Sequence, residues 1–438
     1  MRIGRLVFLS LSLSALGLSL CASAAGQNPW SQLAKLSGTE IGVGGQIGTS
    51  AAISGNTIVV GAPFGGSNGA GVAYVFVKPP SGWGNMVQTA TLASSDGIFC
   101  DFFGASVAIS GNTIVVGSSQ NDPFCVGEAA GAVYVFVEPS GGWSGTVLQT
   151  AKLTASDGAI GDALGSSVSL SGNTLLAGAP GTYPSSKPGS AYVFVEPASG
   201  WANMTQTAKL TESDGVAGDE FGSSASIDAG TAAVGSPSAT SGTIQPGAAY
   251  LFVEPSGGWK NHTQTAKLLA SDGAAGDRLG SSISVSGGTV AAGAPNATIG
   301  SNPLQGAAYV FVEPPSGWTN ATQTGKLTAS DGLAGDLLGS SVATNDASVV
   351  SGASYYMRGP HTSGGGIAES YFREGAVYVF SKPPGGWTTA SSKVKLTGSD
   401  ARFGSYLGSS VAITGSTVVS GAPILGKYIG AAYVFAKP

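Results

Sequence analysis

One phrase returns seven times along this chain, and that periodicity limits the fold more than any other feature. It reads Gly71-Val-Ala-Tyr74-Val-Phe76 at its first occurrence, and its Tyr-x-Phe core recurs at Tyr134, Tyr192, Tyr250, Tyr309, Tyr378 and Tyr433. The intervals between these tyrosines are 60, 58, 58, 59, 69 and 55 residues. A Gly-Ala-Pro phrase precedes it at Gly61, Gly178, Gly293 and Gly421, with variants at Gly117, Gly235 and Gly352. A Pro-x-(Ser/Gly)-Gly-Trp turn follows it, ending at Trp83, Trp143, Trp201, Trp259, Trp318 and Trp387. Self-similarity at a fixed period of this length marks a repeat architecture in which each unit covers its neighbours.

The third unit shows what one repeat contains. Short runs over residues 166–170, 174–178, 190–195 and 206–211 are separated by Gly, Pro, Ser and Asn. Four short runs with turn residues between them predict an antiparallel meander. No stretch of helical length carries an apolar stripe at helical spacing. In the third run Ala191, Val193 and Val195 point to one face, and Tyr192 and Phe194 to the other. Both faces are apolar, so the sheet has to be covered on both sides, as sheets stacked around an axis are.

The ends of the chain predict a closed ring. It stops after a third strand at Phe435-Ala-Lys-Pro438, and the missing fourth strand stands at the other end, where residues 31–36 match 206–210. Closure removes exposed sheet edges. The expected architecture is all-β: a single seven-bladed propeller of four-stranded antiparallel blades over 47–93, 104–154, 165–211, 222–269, 280–328, 339–397 and 408–438 with 31–37.

Residues 1–24 read as a secretory signal peptide: Arg2 and Arg5, an apolar run from Leu6 to Leu20, then Ala22-Ser23-Ala24. The run is short for a membrane span. Cys21 would also admit a lipidated terminus, although Leu20 stands where that processing wants a small side chain. The mature segment, 25–438, is expected to be secreted, extracellular or at the cell surface, with the periplasm as a further compartment. Loss of Arg2 and Arg5 takes the net charge from −5 to −7, which gives no reason to seek nucleic acid or anionic lipid.

These phrases resemble FG-GAP repeats, the unit of the integrin α-chain propeller and of many bacterial secreted proteins. Phe103-Gly104 and Phe221-Gly222 carry the naming pair, and Leu-Gly replaces it at Leu164, Leu279, Leu338 and Leu407. The resemblance covers the whole mature segment and implies the propeller; propellers host many activities, so it implies little about chemistry. Integrin-like repeats often hold calcium in an Asp-rich turn between strands one and two. Here that turn reads Ser54-Gly-Asn-Thr57 or Ser171-Gly-Asn-Thr174, too few oxygens for the ion, so the family's calcium ligands are not carried over.

A carboxylate pair recurs before each first strand: Asp96/Asp101, Asp157/Asp162, Asp214/Asp219, Asp272/Asp277 and Asp331/Asp336. Pairs such as Asp157 with Asp162 and Asp272 with Asp277 could hold a cation. A pair present at almost every blade suits turn fixing better, and no cofactor is expected. The tryptophans fit turn packing better than a sugar-stacking ring. The sequons at Asn203, Asn261, Asn296 and Asn320 are read as coincidences of the repeat.

Alternating strand direction puts the 2–3 and 4–1 loops on one face, called the upper face. Cys100 and Cys125 both fall there in one unit and are expected to form a disulfide, worth about 3 kcal/mol. Unit six carries an insertion with Tyr355, Tyr356, Arg358, His361, Tyr371 and Arg373, a mixture typical of recognition surfaces. Catalysis is not expected: His262 and His361 fall on opposite faces, and each carboxylate pair suited to glycoside hydrolysis is a repeat copy. The sequence points to a monomeric binding or adhesion module for an extracellular protein; the alternative is a lectin-like propeller with several equivalent glycan sites.

Overall fold

The computed structural model describes residues 29–39, 44–66, 68–119, 130–181, 187–355, 357–358, 372–392, 394–400 and 404–437. Among them are seven sheets arranged as the blades of a propeller, a two-stranded ribbon, and one helical turn, Leu425–Tyr428. No helix among the described residues is long and apolar enough to cross a membrane. The blades are numbered by their inner strands: Ser50–Ser54, Phe103–Ser110, Ser167–Ser171, Ser224–Asp228, Ser282–Ser286, Leu338–Asn345 and Ser410–Thr414.

Blade 3 shows the common plan. Ser167–Ser171, Thr174–Ala179, Ser190–Val195 and Ala208–Thr211 pair antiparallel in chain order from axis to rim. The third strand is covered on both sides as its alternation requires. Tyr192 and Phe194 press on Val133 and Val135 of blade 2, while Ala191 and Val193 receive Tyr250 and Phe252 of blade 4. The same fit of an aromatic face on a small aliphatic one recurs around the ring. It includes the closing joint, where Tyr74 and Phe76 of blade 1 meet Ala432 and Val434 of blade 7.

The ring closes through the N-terminal strand. Ser31–Ser37 pairs antiparallel with Ala431–Ala436, setting Lys35 opposite Tyr433 and Leu36 opposite Ala432. Lys209 opposite Tyr192 and Leu210 opposite Ala191 give the same register in blade 3. Gln32 repeats the role of Gln206 as well. Its side chain accepts the Ser399 N–H at 2.8 Å, as that of Gln206 accepts the Ser156 N–H at 2.9 Å.

Six blades carry a fifth strand that the sequence reading missed. In each, the connection between strands three and four of one blade swings back to pair, in parallel, with the outer strand of the preceding blade. Met204–Thr205, between strands three and four of blade 3, pairs with Leu153 and Thr154 of blade 2. The strap is pinned on both sides. Trp201 enters the core between blades 2 and 3, and Asn203 Oδ1 accepts the Lys152 N–H at 2.8 Å. Asn85, Asn261 and Asn320 accept the N–H of Lys35, Lys209 and Lys267 in the same way. Asn203, Asn261 and Asn320 recur as sequons because the strap needs an acceptor there.

The inter-blade joint near the axis explains the repeated phrases. Gly178 of the Gly-Ala-Pro phrase lies so close to the Gly222 carbonyl of the next blade that any Cβ would collide with it. The Ser167 hydroxyl, from the strand paired with Gly178, donates to that carbonyl at 2.8 Å. Gly222 has φ +101° and sends its own N–H to the Gly235 carbonyl at 3.0 Å. The hydroxyls of Ser50, Ser106, Ser224, Ser282, Ser341 and Ser410 make the same bond at 2.7–2.9 Å, the last reaching Gly48 and closing the circle.

Two substitutions separate the parts of this joint. Ser167→Ala should cost about 1–3 kcal/mol, because it leaves the buried Gly222 carbonyl without its side-chain donor. Gly178→Ala, which forces a side chain onto a backbone carbonyl, should cost about 3 kcal/mol or more. Chemical denaturation of the two variants checks the order.

Candidate functional site

The aspartates of each recurring pair have separate partners. The first reaches across the joint: Asp157, from the loop leaving blade 2, accepts the Tyr192 hydroxyl at 2.9 Å and pairs with Lys209 at 2.6 Å, both in blade 3. Asp96 with Tyr134 and Lys152, Asp214 with Tyr250 and Lys267, and Asp272 with Tyr309 and Lys326 repeat the clamp. So do Asp331 with Tyr378 and Lys395, and Asp400 with Tyr433 and Lys35. At the joint of blades 7 and 1, Thr91 stands opposite Tyr74 in place of the lysine. Partial burial pushes each of these six carboxyls up, but the lysine and tyrosine outweigh it and hold them below the usual carboxylate range. Burial, then the bonded carboxylate, pushes the phenols of Tyr134, Tyr192 and Tyr433 upward.

The second aspartate folds its own loop. Asp162 accepts the Ala159 N–H at 2.9 Å and Asp277 the Ala274 N–H at 2.8 Å; Asp101, Asp219 and Asp336 do the same three residues back. Asp162 also pairs with Lys187 at 2.9 Å. Among the described residues no three acidic, cysteine or histidine side chains gather as a metal centre would require.

One joint departs from the pattern. Glu212 stands where other blades have Ser94, Ala155, Ala270, Ala329 or Gly398. It is 8% exposed and Asp219 beside it is 1% exposed; the Tyr250 and Ser236 hydroxyls stand near the Glu212 carboxyl, but neither makes a hydrogen bond of good geometry to it. Burial, then the charge of Asp219, pushes the Glu212 carboxyl up to about 8.

The upper face carries the differences between blades. The residue before each Phe-Gly or Leu-Gly pair, and before Ile47-Gly48 in the first unit, leads into the inner strand from a left-handed backbone, with φ of 52–62° at Gln46, Phe102, Ala163, Glu220, Arg278, Leu337 and Tyr406. A left-handed backbone is costly for side chains with a Cβ and marks sites the fold holds in place. These seven equivalent positions carry seven different residue types, whereas the flanking residues repeat. Neighbouring side chains complete them. Phe102 meets Phe64 edge to face at 5.1 Å, Tyr406 meets Tyr355 at 4.9 Å, and Arg278 bonds Glu220 at 2.8 Å. Arg278 also lines a shallow pocket of about 540 Å³ between blades 4 and 5, with Ser238, Thr240, Thr243, Gln245 and Asn296. Apolar tips stand around this ring, among them Ile98, Ile160, Val216, Leu333 and Phe99, the last 72% exposed.

Of the residues expected from sequence, Tyr355 lies on this face against Tyr406. Met357–Arg358 and Phe372–Arg373 form the two-stranded ribbon. Tyr356, His361, Tyr371, Cys125 and residues 1–24 lie outside the described residues. Cys100 is buried at the upper face with φ 73°. The tryptophans serve packing: Trp143, Trp201, Trp259, Trp318 and Trp387 are 4–6% exposed and offer no face to a sugar ring. The left-handed ring was missed because each member looks like an unremarkable loop residue. Aligning the repeats and asking which column varies would have found it.

The fold defines a closed seven-bladed propeller whose joints are uniform and whose loop ends differ from blade to blade. The FG-GAP repeat model matches residues 30–76, 86–136, 147–194, 204–252, 262–311, 321–380 and 390–435, and the chain belongs to that family. Each matched unit joins the outer strand of one blade to the first three strands of the next, so the sequence unit is offset from the blade. No curated protein matches the chain. Among solved structures, the computationally designed Ika8 protein is similar at 15% identity and TM-score 0.48, over 92% of this chain and 99% of that one.

The carboxyl shifts give pH dependences of opposite sign. The clamp aspartates, depressed in the folded state, contribute stability above the ordinary carboxylate range that is lost as pH falls through their folded values. Glu212, raised from 4.5 to about 8, penalises the fold progressively as pH rises between those values. Glu212→Gln should therefore raise the melting midpoint at pH 8 by about 3–5 °C and leave it unchanged near pH 4. Thermal melts across pH check both signs.

Proposed function

We propose that this protein is a secreted or cell-surface binding module that captures an extracellular protein through its upper face, without catalysis. The observation that carries this reading is the set of six half-buried left-handed positions bearing Gln46, Phe102, Glu220, Arg278, Leu337 and Tyr406, the seventh equivalent, Ala163, being buried. A rigid scaffold presenting varied side chains at fixed points suits a partner that is itself irregular. Several equivalent glycan sites would ask for the same residue in each blade, and the buried tryptophans remove the stacking platforms such sites would use. Aromatic and arginine side chains such as Phe99, Phe102, Tyr355, Tyr406 and Arg278 are the types that dominate binding energy at protein interfaces. Secretion is supported by the N-terminal Arg2-to-Ala24 pattern, and a Cys100–Cys125 disulfide would fix the loop nearest Phe99 in an oxidising compartment.

Capture from culture supernatant and cell envelope tests the reading. Phe102→Ala, Arg278→Ala and Tyr406→Ala combined should abolish retention of the protein partner and lower stability by no more than about 1–2 kcal/mol. Undiminished capture by this variant, or several equivalent sites per chain on a glycan array, would reject it. Intact mass of the secreted protein should show Cys100 and Cys125 two hydrogens lighter than the reduced form; free thiols would remove the disulfide from the reading.

A further inference from the structure

The loops of the lower face vary at several positions, and one of these, the residue that follows each third strand, is charged in every blade. Its N–H is fixed in every blade by the 1–2 turn: Lys78 to the Asn56 carbonyl, Glu138 to Asn112, Glu196 to Asn173 and Glu254 to Gly230, each at 2.8 Å. Glu313 to Gly288 and Lys382 to Ala347, also at 2.8 Å, and Lys437 to Ser416 at 3.1 Å complete the ring. The charges are sorted around it. Blades 2 to 5 carry glutamate and blades 6, 7 and 1 carry lysine, so the face divides into one acidic and one basic sector. Six of the seven residues are exposed and Glu196 is half-buried. None of the seven side chains makes an ion pair or hydrogen bond within the described chain.

The surroundings sharpen the division. Asp228 lies in the acidic sector and Asp346 at its edge beside Gly287 of blade 5, while Lys260, in the blade 4 loop after Trp259, carries the opposite sign. Each side chain sits on a stiff turn: a proline follows it, and in blades 1 to 6 the Gly N–H three residues after that proline bonds back to it at 2.8–2.9 Å. The backbone at each charge is therefore fixed, which sets the point from which each side chain reaches out.

A face split into a positive and a negative sector is complementary to itself. Rotation by half a turn about an in-plane axis along the sector boundary lays the basic sector of one copy on the acidic sector of the other. We infer that the lower face pairs with the lower face of a second copy of this chain, giving a two-fold dimer in place of the single chain expected from sequence. Dimers of this symmetry use the same patch twice, as this pattern requires. The net charge of −5 opposes association at long range, so the attraction has to come from the sorted face at close range. The upper faces then point outward in opposite directions. This inference is independent of what the upper face binds.

Sedimentation analysis of the full chain tests it with two designed variants. One replaces the basic sector (Lys78→Glu, Lys382→Glu, Lys437→Glu). The other replaces the acidic sector (Glu138→Lys, Glu196→Lys, Glu254→Lys, Glu313→Lys). The unaltered protein should dimerise at low ionic strength and weaken about tenfold or more at ~1 M salt, where screening reaches about 3 Å. Each variant alone should be monomeric, and an equimolar mixture should form a mixed dimer. Single Lys382→Glu, which changes one exposed side chain, should weaken the dimer even if a multiple variant fails to fold. A monomeric parent at low salt, variants that dimerise like the parent, or a mixture that stays monomeric would each overturn the inference. The upper-face variant Phe102→Ala should dimerise like the parent, which separates failure here from failure of the binding reading.

Discussion

The fold depends on one close contact repeated around the axis: a glycine Cα of one blade against a glycine carbonyl of the next, with a serine hydroxyl bonded to that carbonyl. Seven such joints, from Ser50–Gly104 to Ser410–Gly48, form an unbroken circle. Near the axis of a propeller there is no room for side chains between sheets, and a buried carbonyl there needs a donor. Glycine gives the approach and serine the donor. The two phrases that give the repeat its family likeness, Phe/Leu-Gly and Gly-Ala-Pro, are therefore the two sides of one joint, contributed by successive blades.

Away from the axis the same joint is made by different means. At middle radius, Tyr and Phe of each third strand press on Ala and Val of the preceding blade. Further out, an aspartate crosses to the tyrosine hydroxyl and a lysine, and at the rim a strap with Trp201 or an equivalent returns to the outer strand of the preceding blade. Every element of the repeat thus contacts the next blade as well as its own. This is why the family unit is offset from the blade, and why an N-terminal strand can finish the last sheet.

That uniformity leaves few places for individuality. A position that faces a joint is held to a narrow range of residue types by its neighbours. Glu212 departs from this, a buried carboxyl beside Asp219 where other blades have small residues, and it sets a pH response opposite to that of the clamp aspartates. Positions that face solvent at loop ends are free to differ. On the upper face this freedom shows at the half-buried members of the left-handed ring, such as Gln46, Arg278 and Tyr406, and on the lower face in the sorted ring of lysine and glutamate.

The sequence by itself determined the blade count, the strand alternation and the closure, because these follow from periodicity and from which side chains can be buried. Tyr192 and Phe194 had to face one way and Ala191 and Val193 the other, and residues 31–36 had only one open sheet edge to complete. Only the tertiary structure decided what the polar residues do. The return of the strap to the preceding blade, the separate partners of Asp157 and Asp162, and the burial of the tryptophans depend on contacts between residues some 35–55 positions apart. It also decided which variable residues share a face. Gln46 and Tyr406 are distant in the chain, and only the curvature that closes seven sheets into a ring brings such positions onto one surface.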